Sequence, residues 1–192
     1  MNESPHRSWI ARLFPARAAQ VPSSIVGHSD ASNIANNRGA LYATAGENPP
    51  DYIKAAEFFR NAAEAGYALA QNNLGMMFAS GHGVLRSEAD ACKWFRRAAE
   101  QGDAGGQFNL GNLCHPASLN HLVAEAGEAR IQAYMWFSLA AAQGYYKADA
   151  SCETLNMQMS KAEIDEGNRR TAAFMPRAEP AFPFADASGA PA

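Results

Sequence analysis

The chain has 192 residues, of which 47% are hydrophobic and 18% are charged, and its formal net charge is −3. This apolar content is too high for a wholly disordered chain, and no run of about 18 apolar residues predicts a membrane-spanning helix. The acidic balance argues against nucleic-acid binding through phosphate neutralisation.

Residues 1–30 come first in chain order and lack a secretory signal, because Arg7, Arg12 and Pro15 interrupt any apolar core. We favour a disordered leader, and an amphipathic targeting or membrane-surface segment is the alternative. The three cysteines are an odd number without a CxxC spacing, so they predict no disulfide framework and favour a reducing compartment. We therefore expect a cytoplasmic location, with non-classical secretion as the alternative.

An internal repeat follows, predicting units over residues 31–66, 67–102 and 103–144. A shift of 36 residues places Ala55, Phe59, Ala62, Ala63 and Gly66 on Ala91, Phe95, Ala98, Ala99 and Gly102. A shift of 42 then places Ala91, Trp94, Phe95, Ala98 and Gly102 on Ala133, Trp136, Phe137, Ala140 and Gly144. The third unit therefore carries about six inserted residues, somewhere within 114–130.

Each unit is predicted to form two helices. In the second unit the first helix spans Ala68–Ser80, where the repeated Gly75 indicates a close helix approach despite a cost of about 1 kcal/mol. The second helix spans about Ser87–Gln101 and carries an apolar stripe. We expect Trp94 and its equivalent Trp136 to fill the core between repeats.

Residues 145–175 are predicted to close the array. Residues 145–157 resemble one more first helix, and Ser160 with Glu163 forms a capping box that opens a last helix over 160–174. Residues 176–192 are rich in Pro and Ala and predict a disordered tail. Because a pair of short helices cannot bury its own apolar stripe, neighbouring units must stack. The sequence thus predicts an all-α solenoid of about three helix pairs with a capping pair, over residues 31–175.

The run AxxxxNLGxxFxxGxGVxxxxxxAxxWFRRAAEQG, from Ala68 to Gly102, closely resembles the Sel1-like repeat, a relative of the tetratricopeptide repeat. AYMWFSLAAAQGY at residues 133–145 is similar to the last repeat of bacterial Sel1-like proteins. The resemblance implies a right-handed α/α superhelix whose first helices line a concave face, with a scaffold or adaptor role. Units one and three depart from the pattern because their inter-helix turns lack GxG.

Candidate partner-binding residues lie on the first helices and in the insertion. Asn37, Asn73 and Asn109 recur once per unit and could grip the backbone of an extended peptide; the alternative is that they bond the neighbouring repeat. Met77 and Asn112 could line an apolar groove, with Met76 and Leu113 as the other member of each pair and one residue of each pair in the core. Leu119 and Leu122 belong to a possible contact loop, with surface variation as the alternative.

The sequence predicts no catalytic residue, cofactor or metal. Cys114, His115 and His121 invite a zinc hypothesis, but a fourth ligand is missing nearby, so a buried thiol and two loop histidines are preferred. Ser-His-Asp, GxSxG, HExxH and phosphate-binding glycine motifs are absent.

We therefore expect a non-catalytic adaptor that binds a protein partner, a peptide or helix, in the groove of its first helices. Neither nucleic acid nor a membrane span is expected, and the oligomeric state is left open. The alternatives are a secreted effector that uses the same groove and a metal-assisted enzyme with its site at the insertion, residues 114–130.

Overall fold

A computed structural model describes residues 51–120 and 123–177, and before them Asn36, Arg38, Gly39, Ala40 and Ala43. The side chains of residues 116–125 are outside this description, as are the predicted leader and all of the tail beyond residue 177. Within the described residues the chain forms helices and no strand, which confirms the predicted all-α fold.

Seven helices follow the helical residues between positions 36 and 43 within the described part of the chain. They are α1 (Tyr52–Glu64), α2 (Ala68–Ser80), α3 (Glu88–Glu100), α4 (Ala104–Asn120), α5 (Val123–Ala142), α6 (Ala148–Asn156) and α7 (Lys161–Ala173). Each helix from α1 to α5 packs on the next, and α6 and α7 both pack on α5. The predicted alternation of first and second helices is therefore the order in which they stack.

Side-chain caps and glycines set the helix ends. Ser160 begins α7 with the predicted capping box, in which the Glu163 N–H donates to the Ser160 hydroxyl and the Ser160 N–H donates to the Glu163 carboxylate. Gly66, Gly102 and Gly144 follow α1, α3 and α5 with φ of 96°, 95° and 80°, a left-handed conformation that glycine adopts without a steric penalty. The chain can therefore reverse at the same place in every unit.

Within each unit the first helix approaches the second through one glycine and one phenylalanine. A β-carbon added at Gly75 would lie 2.6 Å from the Phe95 ring, and one at Gly111 would lie 2.7 Å from the Phe137 ring. Gly39 has the same relation to Phe59, at 2.8 Å. The close approach predicted from the repeated glycine is confirmed.

The two equivalent tryptophans differ in burial. Trp136 is 6% exposed and belongs to the buried cluster of α3, α4 and α5. Trp94 is only half-buried at the edge of the preceding cluster, and the Arg97 guanidinium lies 4.6 Å from its ring centroid. Trp94 therefore packs at the edge of the core between the first and second units, whereas Trp136 lies in the interior of the next one.

The inserted residues of the third unit lengthen its helices. α4 has 17 residues and α5 has 20, whereas α2 and α3 have 13 each. Leu119 lies in the last turn of α4, and only residues 121 and 122 separate the two helices. The prediction of a contact loop is therefore wrong for the described residues of the insertion, because they are helical. The side chain of Leu119 and the whole of Leu122 lie outside the described residues.

Candidate functional site

The first helix of the second unit, α2, exposes part of one side. On α2, Leu69, Asn73 and Met76 are spaced four and three residues apart, so they share one side of the helix. Leu69 is 42% exposed and Met76 is 46% exposed, whereas Asn73 is half-buried between them. Two large apolar side chains exposed on one side of a helix make this face a candidate for binding a partner.

The equivalent residues of α4 extend this face. Gly105, Asn109 and Asn112 follow the α2 residues by one repeat, and α2 packs against α4. Asn112 is exposed, as its predicted role requires. We call these six residues of α2 and α4 the outer stripe. Its α2 half is apolar around one amide, its α4 half is polar, and none of its side chains carries a charge.

Asn73 and Asn109 bond the preceding first helix. Asn73 Nδ2 donates to Asn36 Oδ1 at 2.9 Å, and Asn109 Nδ2 donates to Asn72 Oδ1 at 2.8 Å. Both acceptors are buried, at 4% and 6% exposure. The amides thus hold neighbouring repeats together, which is the alternative that the sequence left open. Asn37, the first of the predicted series, lies outside the described residues.

The methionine pair of α2 divides between core and surface, but with the roles reversed from the prediction. Met77 is 6% exposed and packs in the core cluster of α1 and α2 with Leu74. The predicted place of Met77 on the binding surface is therefore wrong, because it shares the inward face of α2, and Met76 takes the outer position. In the corresponding pair of α4, Asn112 is exposed and Leu113 packs against the second cluster.

Two glutamine pairs, not predicted as functional, stiffen the same array. Gln101 Nε2 donates to Gln71 Oε1 at 2.7 Å, and Gln71 Nε2 donates to the Ala63 carbonyl at 3.1 Å. One unit later, Gln143 donates to Gln107 at 2.8 Å, and Gln107 donates to the Ala99 carbonyl at 3.3 Å. The recurrence of glutamine at equivalent positions was the available sequence signal. Each pair links three successive helices of the array, so the first helices are held in fixed positions.

Cys114 and Cys152 lack the features of a reactive thiol. Burial raises the pKa of the Cys114 thiol, and it raises the pKa of Cys152 to about 12, so both thiols are protonated at neutral pH. In the described ranges, no three His, Cys, Asp or Glu side chains gather in a group that could hold a metal ion. His121, part of the zinc hypothesis, is outside them.

No helix among the described residues combines the length and the apolar character needed to cross a membrane.

Comparisons with known proteins identify the repeat. A family model of the Sel1 repeat matches residues 40–67, 68–103 and 129–145. The crystal structure of a protective antigen from uropathogenic Escherichia coli, which displays an SLR fold, is similar with a TM-score of 0.63 at 25% identity. The match covers 87% of this chain and 32% of the antigen, so the chain spans about a third of that protein.

A Sel1 repeat protein from Oxalobacter formigenes has a similar fold, with a TM-score of 0.56 at 24% identity, over 85% of this chain and 70% of that one. Among curated proteins, none matches this chain. The solved structures and the family model agree on the same helical repeat.

Proposed function

We propose that this chain, which carries three matches to the Sel1 repeat, is a non-catalytic adaptor whose partner binds along the outer stripe. Sel1 repeat proteins are generally protein-interaction adaptors. The partner is a peptide or helix. The observation that carries the proposal is the pair of exposed apolar side chains, Leu69 and Met76, on either side of the Asn73 amide.

The composition of the outer stripe defines what it binds. Leu69 and Met76 offer an apolar contact, and a thioether adapts its shape to different partner side chains. Asn112 and the second N–H of Asn109 offer hydrogen bonds to a peptide backbone, because the bond to Asn72 uses only one of the two amide donors. An uncharged stripe favours a partner segment that is itself neutral and amphipathic.

Rigidity favours binding on this surface. The Asn and Gln bonds between successive helices hold α2 and α4 in place before any partner arrives. A surface that is already ordered loses less conformational entropy on binding than a flexible one. The raised pKa values of Cys114 and Cys152 argue against a nucleophilic role for these two thiols, since neither is ionised at neutral pH.

The test compares two double variants of the full chain. Leu69→Ser with Met76→Ser removes the apolar half of the outer stripe, and Leu85→Ser with Met157→Ser removes two exposed apolar side chains elsewhere, at 90% and 82% exposure. Peptides selected on the wild-type chain from a displayed random library, with extended and helical members, are then measured against both variants. Circular dichroism melting checks that each variant is folded.

We expect the stripe variant to lose affinity for the selected peptides and the control variant to keep it. Equal affinity for both folded variants would place binding elsewhere and overturn the proposal. Failure of the wild-type chain to select any peptide would also count against it.

A further inference from the structure

One end of the outer stripe, at Gly105, brings together two polar groups from different parts of the chain. A β-carbon added at Gly105 would lie 2.8 Å from Asn72 Nδ2 and 3.2 Å from Asp103 Oδ2. These two atoms are therefore at most 6.0 Å apart, which is the sum of the two distances. We call Asn72, Asp103 and Gly105 the notch. Glycine at position 105 has no side chain that would separate the amide from the carboxylate.

The Asn72 amide gives the notch a hydrogen-bond donor. Asn72 is 6% exposed, and its Oδ1 accepts from Asn109 Nδ2. Gly105 and Asn109 are four residues apart on one face of α4, so the amide turns its oxygen to Asn109 and its nitrogen to Gly105. Within the described part of the chain, no acceptor bonds to this nitrogen. A buried amide with unused N–H groups favours a ligand that supplies an acceptor.

The Asp103 carboxylate gives the notch an acceptor and a negative charge. Asp103 directly precedes α4 and is half-buried, and its Oδ2 accepts from the Gly106 N–H at 2.7 Å. Among the described residues, no Lys or Arg side chain pairs with it. Burial raises the pKa of this carboxyl despite the bond from Gly106. A half-buried carboxylate without a cation beside it favours a ligand that brings a positive charge.

The preceding unit has different residues at the equivalent place. A shift of 36 residues places Asp103 on Tyr67 and Gly105 on Leu69. Leu69 is the exposed apolar end of the outer stripe on α2. The two first helices therefore offer different chemistry at equivalent positions, an apolar contact on α2 and a charged, hydrogen-bonding one at the start of α4.

A ligand that satisfies the notch combines a cation with a neighbouring acceptor. Lys and Arg side chains have only donors, so they can pair with Asp103 but cannot accept from Asn72. A peptide residue within a chain offers an N–H and a carbonyl but no charge. The amino terminus of a peptide offers both, because only three covalent bonds separate its ammonium nitrogen from its first carbonyl oxygen. Capture of an amino terminus is also a recurring mode of peptide recognition.

We propose that the notch binds the free amino terminus of the partner segment, whose α-ammonium group donates to Asp103 and whose first carbonyl accepts from Asn72. The remainder of the segment is neutral and follows the outer stripe, where Leu69 and Met76 contact its apolar side chains. This inference rests on the proposed function, because it names the group of the partner that meets one end of the outer stripe.

The experiment uses an array of short peptides of varied sequence, each synthesised once with a free amino terminus and once with an acetylated one. Acetylation removes the charge and leaves the sequence unchanged, so the two forms of each peptide are a matched pair. Binding of every pair is measured for the full chain as wild type and as the variants below. Circular dichroism melting checks that each protein is folded.

Two variants each remove one carboxylate from the start of a helix. Asp103→Asn removes the charge of the notch and keeps an oxygen that can accept from the Gly106 N–H. Asp51→Asn is the matched control, because Asp51 caps α1 in the same way and belongs to neither the notch nor the outer stripe. The stripe variant, Leu69→Ser with Met76→Ser, is measured on the same array.

We expect the wild-type chain to bind free peptides about tenfold more tightly than their acetylated forms, because a hydrogen bond between two charged groups is stronger than a neutral one. Asp103→Asn should lose most of this preference, and Asp51→Asn should keep it. The stripe variant should bind both forms more weakly.

The outcomes separate the notch from the outer stripe. Equal binding of the two peptide forms, with weaker binding by the stripe variant, would overturn the notch and leave the proposed function standing. A preference that Asp103→Asn removes, but that the stripe variant keeps at full affinity, would count against the outer stripe alone. Loss of the preference in both Asp103→Asn and Asp51→Asn would reflect net charge and would overturn the proposal, as would a wild-type chain that binds neither form.

Discussion

The second helices of the second and third units, α3 and α5, are alike on the side that packs against the first helix and differ on the opposite side. In both, the second helix packs a buried phenylalanine, Phe95 or Phe137, against a glycine of the first helix. On the outer side, Arg97 covers part of Trp94 in α3, whereas the equivalent Leu139 in α5 is 7% exposed beside the buried Trp136. The repeat motif therefore sets what a unit buries towards its partner helix, and the neighbouring chain segments set the rest.

The cap explains the difference. α7 and Phe174 pack on α5, and no described helix packs on the equivalent side of α3. Ion pairs add to this contact: Arg130 lies 2.6 Å from Glu163, and Arg170 lies 2.5 Å from Glu128. Glu128 and Arg130 lie in the early turns of α5, within the segment assigned to the insertion. The extra residues of the third unit thus serve the contact with the cap.

The largest expected effect is on the two tryptophans. Trp136→Ala should lower the free energy of unfolding by about 3–5 kcal/mol, because it removes a buried ring from the cluster of α3, α4 and α5. Trp94→Ala should cost only about 1–2 kcal/mol, because its ring is already partly hydrated. Urea unfolding of the two variants measures both values. Equal losses would show that the outer sides of the two units are alike.

The glycine contacts should instead be equal in the two units. Gly75→Ala and Gly111→Ala each place a methyl group against a phenylalanine ring, and such overpacking costs about 1–3 kcal/mol. Chemical denaturation should give the same loss for both within experimental error. A gain in stability, as for an unconstrained helix position, would mean that the first and second helices do not approach so closely.

The inter-repeat amides should have a smaller effect. Asn109→Ala leaves the buried side-chain oxygen Oδ1 of Asn72 without its donor and should lower the free energy of unfolding by about 1–2 kcal/mol. Asn112→Ala, three residues later on the exposed face, is the control and should change stability by no more than about 0.5 kcal/mol. If thermal melts show no difference between them, Asn109 is not holding the repeats together and its role lies in partner binding.

The smallest effect concerns the ion pairs of the cap in acid. Hydrogen bonds from Arg170 and Gln132 lower the pKa of Glu128. Burial tends to raise the pKa of Glu163, but bonds from Ser160 and Arg130 outweigh it, so that pKa is lowered too. Both carboxylates therefore contribute stability above their unfolded pKa of about 4.3, and this is lost as the pH falls through the lower folded values.

The unfolding free energies at pH 7 and pH 3 should therefore differ less in the variant Glu128→Gln with Glu163→Gln than in the wild type. The change is small, because partly exposed ion pairs contribute about 0–1 kcal/mol each. Glu153→Gln, exposed on α6, is the control and should leave the difference as in the wild type. An unchanged difference in the double variant would mean that the cap is held by packing alone.

The sequence by itself determined the helices, their order and their inward faces. Gly75 and Phe95 recur with the repeat, and the contact between them is local to one unit, so periodicity alone reveals it. The capping box of Ser160 was equally readable, because it needs only residues three positions apart. The six extra residues were also visible, but the sequence alignment could not tell a loop from two longer helices.

Only the tertiary structure decided which side chains remain exposed. Met76 and Met77 have the same chemistry, and one residue of helical rotation against α1 decides which of them enters the core. Asn73 and Asn109 turned out to bond neighbouring repeats, and the Arg177 N–H donates to the Glu100 carbonyl, more than 70 positions away in sequence. Such contacts depend on how whole units are placed against one another, and the periodicity within a unit contains no information about that placement.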